Sequence, residues 1–231
     1  MDGMLVAMNG LAMREFSRRD RTRSLSFANE VEMGMNAIKH RCSWVNLKNP
    51  LYVKYHDQEW GRRPRNDQAL YELFILETFQ AGLSWECVLN KREAIKSAFD
   101  GFDTARIVAY GEEDVERLMA TEGIIRNRAK LRAVVTNTCV CLRLREEFGS
   151  FGKYVESFAG TSRTVEPYTV RTTSPVSDAL SADMRRRGMK FVGSTTIYAF
   201  LQAAGYINAH GPECDLGKER CVRSSPMASG G

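Results

Sequence analysis

From Asn66 onward the apolar residues of this chain recur with the period of an α-helix, and that spacing constrains the fold more than any other feature. Leu70, Leu73, Phe74 and Glu77 fall at i, i+3, i+4 and i+7, one face of a helix. Ser84 is an N-cap candidate ahead of Trp85, Val88, Leu89, Ile95 and Phe99. Short helices are predicted after Asp103 and over Asp114 to Ala120, before Gly123 breaks the pattern. A long helix then carries Leu131, Val134, Val135, Thr138 and Leu142 and closes near Gly149. Gly152 to Phe158 form another, residues 160–175 read as a loop or extended arm, and two further helices run from Ser177 to Gly188 and from Ser194 or Thr195 to Gly205. Alternating β-patterns are nearly absent, so the fold class is all-α.

With 231 residues, 43% of them hydrophobic, one domain or two small lobes can close a core. No run approaches the ~18 apolar residues of a membrane span, and the N-terminus lacks the apolar stretch of a secretory signal. The six cysteines lack the spacing of a secreted disulfide framework, which points to reduced thiols, some of them metal ligands, in the cytoplasm or nucleus. Cys87 and Cys139 read as core thiols, and Cys221 as a bystander. A net charge of +5 is compatible with a nucleic-acid partner without requiring one. Residues 1–40 are methionine-rich, carry an arginine patch (Arg14, Arg18, Arg19, Arg21, Arg23) and hold few periodic hydrophobes. They read as a disordered extension; an organellar targeting segment and a basic DNA-touching arm are the alternatives.

Glu77 shares the apolar stripe, so the helix directs it toward the core or a cavity. A buried carboxylate needs a partner or a purpose: a structural salt bridge or cap on one reading, a ligand-binding pocket on the other. Tyr55 and Trp60 upstream and Trp85 downstream favour the second. Aromatic walls with one carboxylate suit a flat cationic ligand, although each aromatic alone is more often plain core.

His210 and Cys214 form an H-x3-C pair able to chelate a metal within one turn, a spacing that also arises by chance. With Cys42 and His56 they offer the Cys2His2 set of structural zinc, which would staple the start of the domain to its end. Met119 to Lys130 reads as a helix, a turn at Gly123 and a basic helix bearing Arg126, Arg128, Lys130 and Arg132. Such a turn aims backbone N–H groups at a phosphate, or is an ordinary helix–helix connection with a solvated charged face.

RCSWV at Arg41, YHDQEWG at Tyr55, QAGLSW at Gln80, EGIIRNR at Glu122, SDALS at Ser177 and KFVGSTTIYAFLQAAG at Lys190 together resemble the DNA-3-methyladenine glycosylase I family, over residues 41–215. The resemblance implies a helix-hairpin-helix DNA glycosylase fold and base-excision repair of double-stranded alkylated DNA by a monomer, cytoplasmic and near the nucleoid in a bacterium. It assigns Zn2+ to Cys42, His56, His210 and Cys214, and Glu77 and Tyr55 to catalysis. It places Trp85 in the base pocket, with Trp60 and Trp44 lining or supporting it. Leu83 becomes the wedge that fills the gap left by the flipped base. Gly123, Ile124, Ile125 and Arg126 become the DNA-gripping hairpin. Residues 216–231 would be a flexible tail. A catalytically inactive lesion binder, or a glycosylase for another damaged base, is the competing reading. No aspartate near the hairpin or in Phe191 to Phe200 is placed to act as the catalytic acid of the wider superfamily. One departure stands out: Asn208-Ala209-His210 lacks the acid that the family commonly carries before the zinc histidine.

Overall fold

The computed structural model describes residues 40–165 and 171–217, within a compact unit that begins at Arg41. The readings of residues 1–39 and 218–231, Cys221 included, lie outside the described residues. The described chain is helical: α1 (Pro50–Gln58), α2 (Asp67–Gln80), α3 (Trp85–Leu89), α4 (Arg92–Ala98), a 3-10 turn (Asp100–Phe102), α5 (Thr104–Ile107), α6 (Glu112–Ala120), α7 (Arg128–Phe148), α8 (Phe151–Ala159), α9 (Pro175–Arg186) and α10 (Ser194–Ala203). Two short strands, β1 (Thr164–Val165) and β2 (Ile207–Asn208), pair in parallel.

Helix α2 is the axis of the unit. The Asn66 side chain caps it by accepting from Ala69 N at 2.8 Å. It is enclosed nearly all round, from Leu70 and Tyr71 to Thr78 and Phe79, against α10, α3, α8 and α7. The single apolar stripe read from the sequence understates this enclosure: Leu73, on that stripe, is only half-buried, while Ile75 and Leu76, off it, are buried. α9 packs against α10.

Cap chemistry explains most boundaries. Ser84 accepts from Cys87 N at 3.2 Å, as expected, but α3 stops at Leu89 and a new helix opens at Arg92, so Ile95 and Phe99 do not continue it. α9 starts at Pro175 rather than Ser177. Ser174 is the cap, and Ser177 returns the bond to Ser174 N at 2.8 Å in a capping box. Helix α1 escaped the sequence reading, although Asn49 caps it and Pro50 sits in its first turn. Cys87 and Cys139 are half-buried, and the enclosed thiol on α7 is Cys141. The domain also runs beyond residue 215, because Leu216 is buried.

Two glycines set the path of the chain around the site. Gly123, at φ +81°, makes the turn between α6 and α7, and a Cβ there would lie 3.3 Å from Ala94 Cβ. Gly205, at φ +70°, approaches Gly61 so closely that a Cβ would lie 2.8 Å from the Gly61 carbonyl oxygen. Gly61 N also donates to Ala203 O at 2.9 Å, which holds the end of α1 and its Trp60 against the end of α10.

Candidate active site and metal centre

The bonds that close α1 on α10 bring together residues from both ends of the unit. Cys42, His56, His210 and Cys214 are all buried, and their ligand atoms lie within 4.8 Å of one another. Sγ of Cys214 is 3.6 Å from Nε2 of His56 and 3.5 Å from Nδ1 of His210; Sγ of Cys42 is 3.6 Å from the same Nδ1. A tetrahedron with metal–sulfur bonds of ~2.3 Å and metal–nitrogen bonds of ~2.0–2.1 Å has S···N edges of about 3.6 Å. The donor set and its edges therefore fit a tetrahedral metal ion such as zinc.

The electrostatics agree. Burial, with Cys214 alongside, pushes the Cys42 thiol up to about 12, so two adjacent thiolates here require a cation. Burial lowers the His56 pKa and favours the neutral imidazole that ligates. Nδ1 of His56 meets Asp57 Oδ1 at 2.8 Å, which fixes the ring so that Nε2 faces the cluster. Burial alone would raise the Asp57 carboxyl, but hydrogen bonds from Arg41 and His56 outweigh it and hold the group below its usual range. Arg41 grips both carboxylate oxygens at 2.7–3.0 Å. Position 209 is alanine, and the acid that orients a ring in this cluster is Asp57.

Trp60 forms the wall between this cluster and a cavity. Its ring centroid is 4.6 Å from that of His210 and 4.8 Å from that of Trp44. The cavity holds about 210 Å³ and is lined by Trp44, Tyr52, Tyr55, Trp60, Glu77, Gln80, Trp85, Ala199 and Gln202. It is small beside pockets for drug-sized ligands, roughly 300–1,000 Å³. Tyr55 and Trp85 stand with ring centroids 5.0 Å apart. Glu77 is 3% exposed, and desolvation pushes its carboxyl up to about 8. Glu77 Oε2 and Trp85 Nε1 are buried with no hydrogen-bond partner among the described residues. That is one oxygen and one N–H donor, each buried without a partner on residues that line the aromatic cavity. Burial, and secondly the same carboxylate, raise the Tyr55 pKa well above its ordinary value, so the phenol stays protonated.

All five pocket residues picked from the sequence, Glu77, Tyr55, Trp85, Trp60 and Trp44, line this one cavity. Tyr52, Gln80 and Gln202 were missed. Gln80 lies three residues after Glu77 on the same face of α2, and Tyr52 three before Tyr55 on the unforeseen α1; both spacings carried a signal. Leu83 lies just past α2, 40% exposed. In the hairpin Ile124 is buried, Gly123 and Arg126 are exposed, and Arg126 makes no ion pair among the described residues.

The basic helix after the hairpin differs from expectation. Arg128 is engaged by both carboxylate oxygens of Glu116, and Arg132 by those of Glu112 at 3.0 and 2.5 Å. Lys130 is buried and donates to Phe79 O at 2.7 Å and Ala81 O at 2.6 Å. It ties α7 to the end of α2, because an ammonium fits the exposed carbonyls of a helix C-terminus. Lys130 is therefore committed to the fold, while Arg128 and Arg132 make exposed ion pairs with α6.

Against known proteins, residues 44–217 match the model of the methyladenine glycosylase family. The chain belongs to this family. It is 42% identical to the DNA-3-methyladenine glycosylase 1 of Escherichia coli K12 over 178 residues, covering 75% of this chain and 95% of that protein. The Haemophilus influenzae DNA-3-methyladenine glycosylase is 39% identical over 178 residues, covering 75% and 96%. The fold superposes on a crystal structure of 3-methyladenine DNA glycosylase I with a TM-score of 0.73 at 42% identity, over 76% of this chain and 98% of that one. It also superposes, at 0.72 and 33% identity, on the Staphylococcus aureus member, solved to explain 3-methyladenine recognition, over 79% and 96%. The all-helical expectation thus stands, together with a Cys2His2 cluster able to hold a metal ion. No helix among the described residues is long and apolar enough to cross a membrane.

Proposed function

We propose that this protein is a monofunctional DNA glycosylase that flips 3-methyladenine out of alkylated double-stranded DNA and releases it by hydrolysis. The observation that carries the reading is the buried, unpartnered Glu77 oxygen beside the unpartnered Trp85 N–H in an aromatic slot. While attached to sugar, 3-methyladenine is cationic and flat. The aromatic walls stack on it, and its charge and N–H donors supply what Glu77 lacks. Neutral adenine brings no charge to draw the Glu77 proton off, so it leaves the buried group unsatisfied. Such a mismatch discriminates by orders of magnitude.

The chemistry needs little acid. The bond between C1′ and the base nitrogen breaks with its electron pair moving onto the base, which leaves neutral. Water adds its hydroxyl to C1′ and gives its proton to solvent. Glu77 favours the cationic base and the positive charge that develops on the sugar, Tyr55 donates its phenolic hydrogen within the pocket, and Trp85 holds the ring by its face. Leu83 fills the gap in the stack, and Gly123 to Arg126 approach the DNA backbone. Cys42, His56, His210 and Cys214 would hold Zn2+, whose part is to cross-link the two ends of the domain. The protein would work as a monomer, wherever the DNA is kept.

The test is base release from methylated duplex DNA, resolved by chromatography, for the wild type and for Glu77→Gln. We expect 3-methyladenine from the wild type and a loss of about 100-fold or more in the variant, with duplex binding retained. A folded wild type that binds duplex but frees no base would favour the lesion-binding alternative. Undiminished release by Glu77→Gln would remove the carboxylate from the mechanism.

A further inference from the structure

The large hydrophobic side chains left exposed among the described residues are Leu47, Leu51 and Leu83, at 69%, 52% and 40%. Leu83 is distant in sequence from Leu47 and Leu51, yet hydrogen bonds tie the segments that carry them together. Trp44 and Tyr52 both line the cavity and pack with ring centroids 5.5 Å apart, so the turn between them leaves the pocket wall and returns to it. Within that turn Asn46 and Asn49 donate to the same oxygen, Glu86 Oε1, at 2.9 and 2.7 Å. Asn49 also donates to Asn90 Oδ1 at 2.9 Å. Glu86 stands in the first turn of α3, three residues past Leu83. The turn bearing Leu47 is therefore strapped to the helix that opens directly after Leu83. The Asn46 side chain accepts from Lys48 N at 3.0 Å, which tightens the tip.

Two lysines stand on this rim, beside a Glu86 carboxylate held by the two asparagine amides. Lys48 and Lys54 are exposed and have no acidic partner among the described residues, and Lys54 lies three residues from Leu51 on α1. Clustered exposed leucines with unneutralised lysines, at the mouth of a nucleobase-sized pocket, suit a polyanion with apolar sugar and base edges. We propose that Leu47, Lys48 and Leu51 form a second contact to duplex DNA beside the pocket, with the leucines against the sugars and bases next to the flipped nucleotide and Lys48 on a phosphate. The proposal rests on the glycosylase reading. It differs from the Leu83 wedge in holding the flanking duplex rather than filling the vacated stack.

Both leucines are exposed, so Leu47→Ser and Leu47→Ser/Leu51→Ser should fold with unchanged melting. Binding of a fluorescent duplex with an abasic-site analogue is measured by anisotropy, and binding of free 3-methyladenine by tryptophan fluorescence. The expected result is about 3- to 10-fold weaker duplex binding for Leu47→Ser, more for the double variant, with free-base affinity unchanged. Unchanged duplex affinity in the double variant overturns the proposal. So does a wild-type dimer on gel filtration that the variants dissolve, since a second copy of the chain would then cover the rim. If the wild type releases no base, the glycosylase reading fails instead, and the anisotropy comparison still decides whether the rim touches DNA.

Discussion

The Cys/His cluster and the aromatic cavity share one wall, Trp60, and both bury ionisable groups, but they treat those groups in opposite ways. In the cluster each ligand atom faces the others within 4.8 Å, and Asp57 and Arg41 brace His56 from outside. The four donors converge on one point, as a metal ion's ligands do. In the cavity Glu77 and Trp85 each keep a buried polar atom without a partner, beside about 210 Å³ of open space. Burial displaces a group from its ordinary pKa in both places. The difference lies in the surroundings: beside Glu77 they leave space, and around the four Cys and His side chains they converge on a point able to hold a metal ion.

The largest effect expected from this contrast is on stability, and it belongs to the cluster. Structural zinc contributes roughly 10–16 kcal/mol in small zinc-folded peptides. This domain has its own core, so about half of that is a fair expectation, a fall in Tm of about 15 °C on stripping the metal. The measurement is calorimetry beside elemental analysis, for the wild type before and after a chelator and for Cys214→Ser. A protein that binds no zinc and melts unchanged in Cys214→Ser would reduce the cluster to four packed side chains.

Glu77 should show the reverse sign. Its carboxyl stands at about 8 in the folded chain against an ordinary value of 4.5. Below the ordinary value both states hold the proton, and burial brings no pH-dependent penalty. Between the two values the unfolded chain ionises and the folded chain does not, so stability falls as pH rises, and it levels off above the folded value. Glu77→Gln removes this slope. The variant should therefore gain stability relative to wild type from pH 5 to pH 9, by on the order of 3 kcal/mol at the alkaline end and visible as a rising Tm difference, while losing excision. A constant Tm difference across that range would mean that Glu77 finds a partner in solution, and the contrast with the cluster would weaken.

How much of this was legible in the sequence follows the range of the interactions. Helices with strong caps and i, i+3, i+4 spacing, such as α2 and α7, were readable because their signals lie within a turn or two. α1 was not, because its buried residues, Tyr55, His56 and Asp57, are consecutive and leave no stripe. Glu77 stood out because a carboxylate among Leu70 and Phe74 has few bland explanations. The grouping of Cys42 and His56 with His210 and Cys214 was hidden in local spacing. It depends on the Gly61–Gly205 approach, a contact between parts of the chain more than 140 residues apart in sequence; residue types offered the set beside a chance spacing, and resemblance assigned it. The partners of the basic helix were hidden for the same reason: charge was legible, but the carbonyls and carboxylates that meet Lys130, Arg128 and Arg132, at Phe79, Ala81, Glu116 and Glu112, were not.

The smallest effect tests whether the two regions are separate at all. Trp60 lies edge-on to His210, nearly parallel to His56 at 6.2 Å, and on the cavity side against Trp44. If metal binding holds the two imidazoles, it also holds the ring that forms the pocket wall. Stripping the metal should then weaken binding of free 3-methyladenine about 2- to 5-fold at temperatures well below melting. Trp60→Phe should weaken it by a similar factor with the metal still bound, because a smaller ring no longer spans both sites. The decisive quantity is the fourth corner of the cycle, stripped Trp60→Phe. If Trp60 carries the coupling, removing the metal from the variant changes base affinity by less than it does in the wild type. Losses that simply multiply would show two independent sites that happen to share a wall, and the metal would be a staple alone.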